Sequence, residues 1–438
     1  MRHVPPVRWY AVAGQAGSTG SIPGDTRPTG GWTVLDDGVV VRLAFVLFAV
    51  QAGFHGFTAS LPVALARAGV PDPEIGLIVG VAALVQVPAA FVAGVIVDRA
   101  GGLRVLALGG IAYLIGCGIL LLPGVEPGGP ALPFVVARFF QGVGIAGSLP
   151  AAMSLVPHLV PPHRRGVGLA FVGSAHNLTL VAMPPVSLAI LAMSSLRGVA
   201  LAMTGVVLVG LAVALAAPFR FRAKAPGESH GDAPRHAAAR RFGLALRRSW
   251  IPLITIILLF IAHWGVVIAY LPQRAEGVGA DIGLFFAADG AAVLAFRVPS
   301  GWLADRVRPI LLILAGLGAT AVAIVLLTLP PTTTLLIVAG LLGGAGGGLV
   351  MTPILVELSR RSADADRGSA FSFFSAALAM ALVLGSIGAA PIVATAGFEA
   401  ALLVGLAAVG AAAVVAVVDG GLRAHPRARS RAGLEAPV

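Results

Sequence analysis

Twelve long apolar runs, most of twenty residues or more, leave this chain one solvent to fold in. A helix rises about 1.5 Å per residue, so about 20 apolar residues cross a hydrocarbon core about 30 Å thick. The runs lie at roughly 40–64, 75–97, 104–123, 131–155, 167–192, 197–217, 250–271, 280–303, 309–329, 333–357, 368–394 and 398–418. Of the 438 residues, 58% are hydrophobic and 11% are charged, against about 25% charged in soluble domains. A water-soluble protein of this size could not cover its surface with so few charges. The expectation is an all-α polytopic membrane protein of twelve transmembrane helices, with the lipid bilayer as its first partner.

Links such as Ser194–Leu196 and Pro330–Thr332 are very short, which makes neighbouring helices antiparallel. Residues 1–38 are polar and rich in Gly and Pro. They read as a disordered cytoplasmic N-terminus and lack the apolar core and cleavage site of a signal peptide. Residues 219–249 have no apolar periodicity and read as a cytoplasmic linker between two six-helix bundles, 39–218 and 250–418. Residues 419–438 read as a cytoplasmic tail.

The net charge of +11 would suggest a nucleic-acid partner in a soluble protein. Its placement argues against one. Of the 30 Lys and Arg, 25 fall on the termini and the alternate loops that share their side, and three (Arg67, Arg197 and Arg274) fall on the other side. Arg138 and Arg297 lie inside helices. This bias matches the positive-inside rule and predicts a multi-pass inner (plasma) membrane protein with both termini cytoplasmic. Cys117 is the sole cysteine, so an intrachain disulfide is impossible, and no Cys/His cluster has metal-site spacing. No P-loop appears and no cofactor is expected.

The chain repeats itself. GVIVDRAGGLR ends the second run and GWLADRVR the eighth, with Asp98 and Asp305 separated by 207 residues. RRGVGLAFVGS opens the fifth run and DRGSAFSFFS the eleventh, with Arg165 and Arg367 separated by 202. Two landmarks in the same order at nearly one offset indicate a duplicated six-helix unit, an arrangement whose halves rock around a central site.

The loop after the second run, Gly94-x-x-x-Asp98-Arg99-x-Gly101-x-x-Arg104, resembles the signature loop of the major facilitator superfamily. Gly301-x-x-x-Asp305-Arg306 is a shorter copy, and Arg138-Phe-Phe-Gln141-Gly142-Val-Gly144 is similar to that family's RxxxGxG motif. With twelve spans and a long central linker, the resemblance covers roughly residues 40–418. It implies two pseudo-symmetric bundles, a monomer and a gating role for the signature loop. Asp98 is expected to dock against the positive N-terminus of the eleventh helix near Gly368, and Asp305 against that of the fifth near Gly166. These latches would break on opening toward the cytoplasm.

Polar side chains at mid-membrane depth mark a pathway. Asp289 is the candidate proton or substrate-cation site, because a carboxylate can exchange a proton as its solvation changes. Arg297 lies eight residues later, about 12 Å along the axis and some 80° round the helix, so the two could share a cavity. The resemblance assigns Arg138 to proton coupling in some exporters, and gives Arg297 a part in gating. It also implies that helices one, two, four, five, seven, eight, ten and eleven line the cavity. The uncharged candidates are Gln51, His55, Gln86, Gln141, His176, Asn177, His263 and Trp264. Pro184 and Pro185 should kink the fifth helix. Glycines every fourth residue in the tenth run (Gly340, Gly344 and Gly348; Gly343 and Gly347) should bring helices close.

The stretch GSAHNLTLVAMPPVSLAIL lacks the GPxxGG-like motif of drug/proton antiporters, and sugar-porter signatures are missing. The second-half stretch FFAADGAAVLAFRVPSGWLADR looks like bacterial exporter-like members of the family. The expected function is secondary active transport of a small organic molecule by alternating access, as proton-coupled efflux. Proton-coupled uptake of a small metabolite is the competing reading. A membrane-embedded transferase is a third, and it lacks a catalytic cluster: the outer loops hold only Asp72 and Glu74 as close carboxylates.

Overall fold

The computed structural model describes residues 38–160, 165–216, 247–304, 306–362 and 367–432. Every regular element among them is a helix. The first span has two pieces, α1a (Gly38–His55) and α1b (Ser60–Arg67). Next come α2 (Asp72–Ala100), α3 (Gly102–Leu120), and α4a (Ala131–Ala146) with α4b (Ser148–Leu159). They are followed by α5 (Arg165–Met193), α6 (Leu196–Ala216), α7 (Ile251–Gly277) and α8 (Ile282–Ala304). The last are α9 (Pro309–Leu327), α10 (Thr333–Arg360), α11 (Arg367–Val383) with a π-helical turn at Leu384–Gly388, and α12 (Ala390–Ala432). Among the described residues, eleven stretches are long and apolar enough to span a membrane, and Phe373–Gly388 is a shorter apolar helix. With that helix the spans number the twelve expected.

Breaks fall where small residues allow close approach. α1 pauses at Gly56, where a Cβ would come within 2.2 Å of Met203 Sδ on α6. α4 pauses at Gly147, where a Cβ would meet that of Ala93 at 2.4 Å. Inside α12, Gly397 takes φ +88°, a left-handed value that glycine adopts without strain, and divides a short first piece from the long span after it. Pro184 and Pro185 lie inside α5, which runs as one helix from Arg165 to Met193.

α1–α6 pack on one another, with α4a against α2 and α3, and α1a against α5 and α6. α7–α12 do the same, with α10 against α8 and α9, and α12 against α7 and α9. The two sets meet chiefly along α2 with α11 and α5 with α8. Large apolar side chains face outward, Leu132 exposed by 69% and Leu215 by 79%, which only lipid can solvate at no cost. The glycine spacing of α10 does what its period predicts. A Cβ at Gly340 would lie 2.6 Å from Phe285 O, and one at Gly344 2.0 Å from Asp289 O, so α10 lies directly on the α8 backbone.

Candidate functional site

The polar residues inside the first bundle form two hydrogen-bonded groups. Gln51 on α1a donates to Ser148 Oγ on α4b at 2.9 Å, and Ser148 donates to Ile145 O at 2.8 Å. Arg138 on α4a donates through Nη1 to Gln141 Oε1 at 2.9 Å, and its guanidinium lies 4.8 Å from the centre of the Phe54 ring. Gln141 Nε2 in turn points at Cys117 Sγ on α3, 3.8 Å away. Gln51, Arg138 and Gln141 are therefore engaged within this bundle. Gln86 on α2 is half-buried.

His55, at the end of α1a, faces His176 on α5 with ring centres 5.7 Å apart. His55 Nε2 and His176 Nδ1 are both buried without a hydrogen-bond partner. The next residue, Asn177, accepts a hydrogen bond at 2.9 Å from Arg297 Nη1, which reaches it from α8 in the other bundle. The sequence singled out all four residues, and the fold brings them to one junction.

Asp289 points elsewhere. A Cβ on Gly343 would lie 3.4 Å from its Oδ1, so the carboxylate faces α10 and not α5. It borders a cavity of about 10 Å³ lined also by His263, Trp264, Phe285, Ala323, Ile324 and Leu327, which is room for about one water. Among the described residues it has neither a hydrogen bond nor an ion pair. His263 Nδ1 contacts Phe260 O, and Trp264 stacks on Phe285 at 6.1 Å between ring centres. The expectation that Asp289 and Arg297 share a cavity is thus corrected. Their turn of some 80° round α8 is enough to send one side chain between α8, α9 and α10 and the other across to α5.

Among the described residues, side-chain contacts also join the bundles on the face opposite the basic loops. Arg67 at the end of α1b donates through Nε and Nη2 to Glu276 Oε1 at 2.8 and 2.6 Å. Gln273 Nε2 donates to Asp72 Oδ1 at 2.9 Å. Gly76 and Gly80 of α2 sit against Tyr270 and Ser386–Ile387, and Gly283 and Gly290 of α8 against Pro185 and Val181.

On the basic face, the side chains of Asp98 and Arg99 and all of Asp305 lie outside the described residues, as do the side chains opposite them on α5 and α11. Gly101 turns the chain between α2 and α3 at φ +87°. Arg104 and Arg306 are exposed, while among the described residues no neighbour lies within 4 Å of a Cβ at Gly94 and only Thr352, at 3.6 Å, approaches one at Gly301.

Sequence reasoning passed over Arg361, counting it only as one of the basic-face charges. It is buried at the end of α10 and donates to Glu357 Oε1 at 2.8 Å, Asp419 Oδ2 at 2.6 Å and Ser249 O at 3.1 Å. It ties α10 to α12 and to the entry of α7. An aspartate this close to the end of an otherwise apolar final span was the available signal.

The family model described as Major Facilitator Superfamily matches residues 43–281 and 264–437. No curated protein sequence matches the chain. Solved structures share its fold. The nucleoside transporter NupG has a TM-score of 0.69 at 11% identity, over 87% of this chain and 99% of that one. A peptide transporter POT in complex with alafosfalin has a TM-score of 0.67 at 17% identity, over 89% and 94%. A POT family transporter in complex with 5-aminolevulinic acid has a TM-score of 0.69 at 15% identity, over 86% and 94%. The family and these relatives are membrane transporters, not enzymes.

Proposed function

Since this chain belongs to the major facilitator superfamily, we propose that it is a proton-coupled secondary transporter exporting a small organic molecule across the plasma membrane by alternating access. The observation that carries the reading is a clasp between the bundles on the face opposite the basic loops. The bundles are clasped by Arg67–Glu276 and Gln273–Asp72 on one face, while the duplicated gating sequence sits on the other. Two rigid units joined alternately at either face supply the bistable element that alternating access needs. The units are 39–218 and 250–418, joined by the 219–249 linker. Asp98 and Asp305 latch the basic ends against the N-termini of α11 and α5. The basic loops and both termini face the cytoplasm, where anionic lipid holds them. The working unit is a monomer.

Asp289 carries the coupling proton. It is a carboxylate at mid-depth, without a partner among the described residues, beside a cavity the size of one water. Export is the direction adopted because the stretch from Phe285 to Arg306 is similar to that of bacterial exporters. The test is flux in proteoliposomes with an imposed pH gradient, screened across drugs, sugars and organic acids. The expected result is uphill movement that collapses with the gradient. The Asp289→Asn variant should lose uphill movement at least about tenfold while retaining downhill exchange. Unchanged proton stoichiometry in that variant removes Asp289 from the mechanism, and gradient-driven accumulation from the cytoplasmic side reverses the direction.

A further inference from the structure

The junction that joins the two bundles carries positive charge that no carboxylate among the described residues neutralises. Arg297 donates to a neutral amide, Asn177 Oδ1, at 2.9 Å, its single hydrogen bond among the described residues. His176 directly precedes Asn177 on α5. His55 faces His176 with ring centres 5.7 Å apart, and its neighbour Phe54 lies under the Arg138 guanidinium. Arg138 is itself only 5% exposed, and its partners are the Gln141 amide and the Phe54 ring. Among the described residues no carboxylate touches any of these four side chains, and Asp289 faces α10 instead.

Two features here are costly in an apolar setting. A guanidinium held in low dielectric without a counter-charge is destabilising, and this junction has one on each side of a histidine pair. A buried polar atom with no hydrogen bond costs about 1–3 kcal/mol, and the facing rings contribute two, His55 Nε2 and His176 Nδ1. One ligand resolves both. A carboxylate takes the guanidinium N–H groups of Arg297 in the paired geometry that suits it, and accepts from the imidazole N–H groups. An organic cation would meet two positive charges, and a neutral molecule would leave them uncompensated.

We propose that the junction of α1a, α5 and α8 binds the carboxylate of a small organic anion, which is the class of molecule carried; this rests on the transport reading above. His55 and His176 hold the anion from the first bundle and Arg297 from the second. Binding then strengthens the contact that Arg297 already makes with Asn177 across the interface. Arg138 adds positive potential from behind His55's own helix without touching the ligand.

The experiment is equilibrium binding to the purified full chain in mild detergent, which does not depend on flux, direction or coupling ion. The probes are benzoate, benzenesulfonate, inorganic phosphate, benzylamine and benzyl alcohol, near-matched in shape except for phosphate. Benzoate should bind, and benzylamine and benzyl alcohol should not. Arg297→Gln should weaken benzoate at least about tenfold. Asn177→Asp places a carboxylate beside Arg297 within the protein itself, so it should abolish benzoate binding without lowering the melting temperature. That variant keeps the test sound if Arg297→Gln folds poorly. Binding of benzylamine in preference to benzoate, binding confined to the sulfonate or phosphate, no binding by any probe, or unchanged benzoate affinity in Asn177→Asp each overturns the proposal. None of these outcomes touches the transport reading, which fails only in the proteoliposome assay.

Discussion

Arg67 and Glu276 face each other across the two bundles, with two guanidinium nitrogens, Nε and Nη2, on a single carboxylate oxygen at 2.8 and 2.6 Å. Both side chains are substantially exposed, at 44% and 38%, so the pair is screened and worth about 0.2–1 kcal/mol. That is small for stability but enough to bias two states of similar energy. Arg67→Gln should shift the population toward the state open on that face by up to roughly fivefold. The charge-swapped pair, Arg67→Glu with Glu276→Arg, should restore it. Distances between spin labels on α1b and the end of α7 report the shift. Equal distance distributions in all variants remove the pair from gating.

The opposite face carries the repeated Asp-Arg sequence. Each contact between an aspartate and a helix N-terminus contributes about 0.3–1 kcal/mol. Losing both in the Asp98→Asn, Asp305→Asn double variant should move the equilibrium toward opening at the basic face by up to roughly thirtyfold. Accessibility of cysteines placed at the basic ends of α2 and α8 measures it. A double variant that alternates like the parent rules the latch out.

Gly344 and Gly318 make a contrasting pair. A Cβ at Gly344 would lie 2.0 Å from Asp289 O, whereas at Gly318 on α9 nothing lies within 4 Å. Gly344→Ala should force α8 and α10 apart at a cost of about 1–3 kcal/mol. Gly318→Ala should be neutral or stabilising by up to about 1 kcal/mol, through helix propensity alone. Thermal unfolding in mild detergent separates the two. Equal melting temperatures would show that the α8–α10 approach is slack.

Arg361 is a structural tie whose side chain is only 7% exposed. Arg361→Ala leaves the Glu357 and Asp419 carboxylates facing each other without their cation, and should cost about 3 kcal/mol. Arg361→Lys should recover only part of this, because a lysine ammonium cannot reproduce the guanidinium fork toward Asp419. Guided unfolding by heat or denaturant reads both. A lysine variant as stable as the parent shows that charge alone suffices there.

The sequence by itself settled the solvent, the number of spans and the duplication. Apolar runs of about twenty residues have one stable solution in lipid, and that solution needs no knowledge of neighbours. The glycine period of α10 was equally legible, since a four-residue repeat puts small residues on one helix face whatever packs there. It also nominated His55, His176, Asn177 and Arg297, because polar groups at that depth stand out against leucine. Which of them meet was decided only by tertiary structure. The azimuth of a side chain has no meaning until helices pack on both sides, so Asp289 and Arg297, eight residues apart on one helix, could not be assigned to α10 and α5 in advance. The unbroken course of α5 through Pro184 and Pro185, the pauses at Gly56 and Gly147, and the role of Arg361 are likewise outcomes of packing. They depend on the atoms of other helices, and those enter no local pattern.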